Sequence, residues 1–129
     1  MPELPEVETT ASAIEIFTGK KIEKLKIYNR NLRWKISEDI EIHSKNKEIK
    51  KIFRRAKYII FELAEKFLII HLGMSGNLRI LNAKSNSFKK HDHFEIIFNK
   101  EKIVFNDVRR FGSLHICDTL EDHFLIRNL

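Results

Sequence analysis

Apolar positions along the chain change period once. From Val7 to Phe17 they recur every three or four residues, so that Val7, Thr10, Ala11, Ile14 and Phe17 share one face, as on an α-helix. Pro5 suits the first helical turn, Glu6 and Glu8 complement its positive end, and Gly19 stops it. From Ile22 onward the period shortens, and strands are expected at 22–28, 49–53, 58–63, 67–71, 78–81, 93–98, 102–105 and 113–116. Ala64-Glu65-Lys66, Gly73-Met74-Ser75-Gly76 and Asn99-Lys100-Glu101 supply turns between neighbouring runs, and the polar stretch 83–90 reads as an exposed loop. Asp118 is expected to cap a short helix over 119–127. The pattern predicts a mainly β fold with flanking helices (α+β): a two-layer antiparallel β-sandwich of about eight strands behind an amino-terminal helix.

Composition narrows this only a little. A chain of 129 residues, 43% of them hydrophobic, is one domain with enough core to need no staples. No apolar run approaches the roughly 18 residues of a membrane span, and the acidic start does not look like a signal peptide, so a cytoplasmic protein is expected. Cys117 is the only cysteine, which excludes an internal disulfide and a multi-cysteine zinc cage within the sequence. The formal charge of +6 points to a polyanionic partner, nucleic acid before others.

The first residues, Met-Pro-Glu-Leu-Pro-Glu, hold candidate chemistry. With Met1 removed, Pro2 presents a secondary amine beside the carboxyl of Glu3. Such an amine can attack an electrophilic sugar carbon, and the resulting Schiff base stays an iminium because its nitrogen has no second proton to lose. That cation is an electron sink able to drive elimination of a neighbouring phosphate, while the acid protonates a ring or leaving oxygen. Elsewhere the residues alone admit plainer roles. Glu6 and Glu8 suit helix capping, Lys57 a solvated strand edge, His71 a strand end, Met74 a gap filler and Phe111 the core. His91 and His93 alternate on one face of a strand and could ligate a metal, but no third ligand is evident.

Five motifs in order carry a resemblance: Pro-Glu-Leu-Pro-Glu-Val-Glu-Thr at 2–9, Arg-Ala-Lys-Tyr at 55–58, His-Leu-Gly-Met-Ser-Gly at 71–76, His-Asp-His at 91–93 and Asn-Asp-Val-Arg-Arg-Phe-Gly at 106–112. Together they resemble the bacterial formamidopyrimidine-DNA glycosylase family, over the whole chain. The resemblance implies a base excision repair glycosylase and abasic-site lyase acting on oxidised purines, 8-oxoguanine and formamidopyrimidines, through a Schiff base and β,δ-elimination. It makes Pro2 the nucleophile, Glu3 the acid at the sugar ring oxygen, Lys57 a third catalytic residue that also reaches phosphates, and Glu6 a supporting carboxylate. His71, His91, Arg109 and Arg110 become DNA contacts, and Met74, Arg109 and Phe111 fill the void left when the damaged base leaves the stack. Val108 stands where the family commonly has proline. The implied partner is double-stranded DNA with oxidised purines or abasic sites, bound by a monomer near the nucleoid.

Residues 1–118 correspond to the family's amino-terminal sandwich, and 119–129 to the start of a helix or linker toward a helix-two-turn-helix unit and a zinc finger that the sequence does not contain. The one zinc ion expected in the family belongs to that finger, so no cofactor is expected within this chain. Two alternatives stay open: a non-catalytic DNA-binding fragment that keeps the groove, and a fragment unstable without a partner domain, suggested by the apolar stretch 124–129.

Overall fold

The first helix forms where the periodicity places it and buries the expected stripe. The computed structural model describes residues 4–129, and in it α1 (Leu4–Ile14) turns Val7, Ala11 and Ile14 inward. A 3-10 turn, Glu15–Phe17, carries Phe17 into the core, and Gly19 at φ +86° ends the segment. Eight strands follow: β1 (Lys24–Ile27), β2 (Lys51–Arg55), β3 (Tyr58–Glu62), β4 (Phe67–His71), β5 (Asn77–Asn82), β6 (Asp92–Ile97), β7 (Glu101–Asn106) and β8 (Ser113–Cys117). They make two antiparallel sheets, ordered β1-β6-β7-β5 and β2-β3-β4-β8, so the expected sandwich is what the chain adopts.

Alternation divides each strand. Phe94, Ile96, Ile103 and Phe105 of one sheet meet Ile52, Ile59, Phe61, Leu68 and Ile70 of the other in the central core, where Phe94 stacks on Phe105 at 4.8 Å. Strands β3 and β4 are apolar throughout because their far face is covered as well: Ile60 and Ile69 pack under Leu120 and Ile126 of the tail.

That tail departs from expectation. Only a 3-10 turn, Leu120–Asp122, forms in place of a helix over 119–127, and Asp118 pairs with Lys66 and caps nothing. Leu120 and Ile126 are six residues apart, a spacing that points to different sides of a continuous α-helix, whereas both must reach one sheet face. Hydrogen-bonded turns at 3.0 and 2.9 Å, from His123 N–H to the Leu120 carbonyl and from Ile126 N–H to the His123 carbonyl, let them do so.

Two other segments differ. The stretch between β1 and β2, for which the periodicity predicts no element, contains α2 (Ile40–Ser44) and a loop that Arg30 ties to α2 through the carboxylate of Glu41. The loop 83–90 is polar and mostly exposed but lies strapped across the outer face of the first sheet. Lys102 donates to the Ser85 carbonyl at 3.0 Å and Asn106 to the Lys90 carbonyl at 2.9 Å, while Asp92 accepts the Lys89 N–H at 2.8 Å. Asp92 is itself held by both nitrogens of Arg79, each at 2.7 Å, and this bidentate pair holds its carboxyl down at about 2 despite burial.

Registers fix what all this positions. Tyr58 pairs with His71 and His71 with Ser113 in the second sheet, and Asn77 with Asn106 and Asn106 with Asp92 in the first. The starts of β3, β8, β5 and β6 and the ends of β4 and β7 therefore share one end of the sandwich, where the motif residues lie.

A cleft between two loops, the candidate nucleic-acid interface

Two loops meet at this end, 72–76 after β4 and 107–112 after β7. The first reverses through a 2.7 Å bond from Gly76 N–H to the Leu72 carbonyl, with Gly73 at φ +65°. Gly73 also lies against the second loop so closely that a Cβ there would sit 2.4 Å from the Gly112 nitrogen. Gly112 is as confined: its own Cβ would stand 2.6 Å from the His71 carbonyl oxygen. Only two glycines let these backbones touch.

The fully buried carboxylate of Asp107 clamps them. Its Oδ1 accepts the Ser75 hydroxyl at 2.6 Å from one loop, and its Oδ2 accepts the Gly112 N–H at 2.7 Å from the other. Ser75 Oγ in turn accepts the Arg109 N–H at 3.1 Å. Behind, Asp107 N–H donates to the His91 carbonyl at 3.1 Å, and its own carbonyl accepts from His93 Nε2 at 2.6 Å. One residue thus fixes the loops that carry Met74, His91, Arg109 and Phe111, a role the motif spelling did not reveal.

Met74 and Phe111 project into solvent, 42% and 44% exposed, although both are large and apolar. Arg109 lies between them, its Nη1 3.8 Å from the Met74 sulfur and its guanidinium 5.9 Å from the centre of the Phe111 ring. The three expected void-filling residues therefore form one cluster. Beside it runs a cleft of about 380 Å³ whose lining includes Arg33, Trp34, Tyr58, His71, Met74 and Phe111.

His71 Nδ1 accepts the Gly73 N–H at 3.1 Å, which requires that nitrogen to be unprotonated and leaves Nε2–H as the donor. Burial, and then the nearby Lys57 cation, push its pKa down, against a weaker pull from Asp107. Lys57 sits half-buried in the β2–β3 turn, beside Ala56 at φ +52°. Arg54 links that turn to the first helix, pairing with Glu8 and donating to the Ala56 carbonyl at 2.9 Å. Glu6 is exposed on the first turn of α1, near Pro5, Thr9 and Thr10. Pro2 and Glu3 lie outside the described residues.

The two remaining motif positions separate. Arg110 is exposed at φ +59°, two residues before the Gly112 contact. His91 and His93 do not share a strand face: His91 precedes β6 at φ +72°, a bulge follows between Asp92 and Phe94, and His93 is buried on the Asp107 carbonyl. Their ring centres are 6.4 Å apart, and no three His, Cys, Asp or Glu side chains gather as a metal site among the described residues. A cysteine-held zinc finds no donor set here, with one cysteine in the sequence. No helix among the described residues is long and apolar enough to cross a membrane.

Met74, Arg109 and Phe111 thus stand beside one cleft at the end of a basic two-sheet sandwich. A model of the formamidopyrimidine-DNA glycosylase N-terminal domain matches residues 1–114, and the chain belongs to that family. Among its relatives, the formamidopyrimidine-DNA glycosylases of Pasteurella multocida and Stutzerimonas stutzeri are 43% and 39% identical, over all of this chain and 48% of their own length. The Lactococcus lactis Fpg in complex with a Fapy-dG containing DNA superposes with a TM-score of 0.84 at 32% identity, over 92% of this chain and 45% of that one. Its complex with an abasic site containing DNA matches equally well, with a TM-score of 0.84. The chain therefore spans about half the length of these relatives.

Proposed function

We propose that this chain is the catalytic half of a base excision repair DNA glycosylase and abasic-site lyase acting on oxidised purines. The observation that carries the proposal is the Met74–Arg109–Phe111 cluster, an exposed wedge clamped through Asp107 at the lip of a cleft in a basic domain. Apolar side chains held in water at a fixed place suit insertion into a base stack, and a flipped nucleotide leaves a gap for them. Arg109 has donors for the orphaned base, and His71, His91 and Arg110 offer donors to backbone phosphates.

In the proposed reaction the free amine of Pro2 attacks C1′ of the damaged nucleotide and the base departs with the glycosidic electron pair. Glu3 protonates the ring oxygen as the sugar opens, giving an iminium on Pro2. Loss of a C2′ proton then expels the 3′ phosphate, and a second elimination expels the 5′ phosphate. In this reading the Lys57 cation favours the unprotonated, nucleophilic form of the amine, and Glu6 supports the site. No oxidant, metal or cofactor enters these steps.

Incubation with a duplex containing an abasic site tests this. A gap bearing phosphate on both flanks, lost on Pro2→Gly, is the expected product. A second reading follows from the chain's matching about half of its relatives' length: a DNA-binding fragment without chemistry. Binding with no gap from a chain whose Met1 is verified absent by mass would favour it.

A further inference from the structure

The arginines sort by partner. Among the described residues, Arg30, Arg54, Arg55 and Arg79 hold Glu41, Glu8, Glu121 and Asp92. Each joins two segments, and its charge is spent on the fold. Arg33, Arg109, Arg110 and Arg127 stand in no ion pair among these residues; Arg127 lies in the exposed tail, and the other three gather at one end of the sandwich. Two belong to the wedge loop already described, while Arg33 comes from the separate loop between β1 and α2.

Its position is built. Arg30 closes the base of the loop, donating to Glu41 and to the Ser37 carbonyl at 3.2 Å, and Ile36 N–H bonds the Arg30 carbonyl at 3.0 Å. Leu32 and Ile36 are buried beneath. At the tip, Arg33 N–H donates to the Gly112 carbonyl at 3.2 Å, tying it to the residue that Asp107 clamps from the other side. Its guanidinium lies 5.3 Å from the centre of the Trp34 ring, and Trp34 is braced edge-on by Phe124 at 5.4 Å. A guanidinium stacked on an indole loses water from one face and keeps its in-plane N–H fork free, the geometry that suits a phosphate. Arg33 shares its cleft with His71, Met74 and Phe111.

We propose that Arg33, stacked on Trp34, binds a backbone phosphate of the DNA strand entering the cleft. The inference rests on the glycosylase reading and extends it to a residue outside all five sequence motifs. Its contribution is a positioning one: it holds the strand, and it touches no reacting atom.

Equilibrium binding of the whole chain to a short duplex carrying a reduced abasic site, measured over a range of salt, decides the matter. Arg33→Ala is expected to weaken binding about tenfold near 0.1 M salt and to lower the slope of log K against log salt by about 0.9, the value of one released cation. Arg33→Lys should keep the slope and recover part of the affinity. Trp34→Leu should weaken binding without changing the slope. Arg127→Ala, an exposed tail arginine off the cleft, should change neither. An Arg33→Ala slope equal to that of the parent, with melting unchanged, overturns the inference while His71→Ala still loses affinity. If the parent shows no salt-dependent binding, the glycosylase reading and this inference fail together.

Discussion

Ser75 and Asp107, 32 residues apart, share a 2.6 Å hydrogen bond between the hydroxyl and a carboxylate with no exposed surface. That bond joins the loop carrying Met74 to the loop carrying Arg109 and Phe111. It joins the two turns into a single unit, because the same hydroxyl accepts the Arg109 N–H and the same carboxylate accepts that of Gly112.

Ser75→Ala removes one donor from a buried charge and is expected to cost about 1–3 kcal/mol in urea unfolding. Asp107→Ala orphans the Gly112 N–H as well and should cost more. Either variant should also weaken duplex binding through the loosened wedge. A change below about 0.5 kcal/mol for both would remove Asp107 from its assigned role.

Gly112→Ala and Gly19→Ala separate crowding from backbone strain. At Gly112 the new methyl meets the His71 carbonyl and the Phe105 ring at 2.6 and 2.7 Å, and a loss of about 2–3 kcal/mol or more is expected. At Gly19 nothing stands within 4 Å, but φ is +86°, so only the left-handed penalty of about 1–2 kcal/mol applies. Thermal melting should rank them in that order.

Glu95 and Lys102 pair at 3.0 Å on the outer face of the first sheet, under the 83–90 strap, both nearly buried. Lys102→Ala strands a carboxylate there and should cost about 3–5 kcal/mol, whereas replacing both by Met and Leu should be close to neutral. Equal losses from the single and the double substitution would show that the strap, and not the ion pair, holds this face.

Acid should release the tail. Burial, followed by the neighbouring His123, pushes His115 down to about 4, and its buried Nε2 has no hydrogen-bond partner among the described residues. The two rings contact each other edge-to-face at 4.9 Å, and Phe124 stacks on His123 at 4.8 Å. A histidine whose folded pKa is depressed stabilises the fold fully above the unfolded value near 6.5. That contribution is lost as pH falls from there toward about 4, up to about 3 kcal/mol before solvent screening. Asp92, held at about 2, adds loss only below about pH 4. Urea titrations of the parent and His115→Phe should therefore diverge between pH 6.5 and 4, with the variant flatter. Parallel curves in that window would contradict this.

Much of this was visible in the chain. Each of the eight strands is a short apolar or alternating run between turn residues, and each formed within a few positions of where its period places it. That Met74, Arg109 and Phe111 belong together was legible from motif order, because the two turns that carry them could be matched without knowing that they touch. What stayed hidden depends on pairs distant in sequence. The Arg30–Glu41 clamp orders a stretch with no strong period of its own. Asp107 looks like any loop acid until its burial is seen. His91 and His93 have strand spacing, yet a bulge at Asp92 and a positive φ at His91 send them apart.

The central claim is covalent chemistry at Pro2, and borohydride trapping on a duplex with a preformed abasic site tests it most directly. Hydride should reduce the iminium to a stable amine, giving a protein–DNA adduct whose attachment maps to the amino-terminal proline and vanishes in Pro2→Gly and in a chain retaining Met1. A folded, Met-free chain that binds the duplex but yields no adduct, or an adduct mapping to Lys57, would contradict the account.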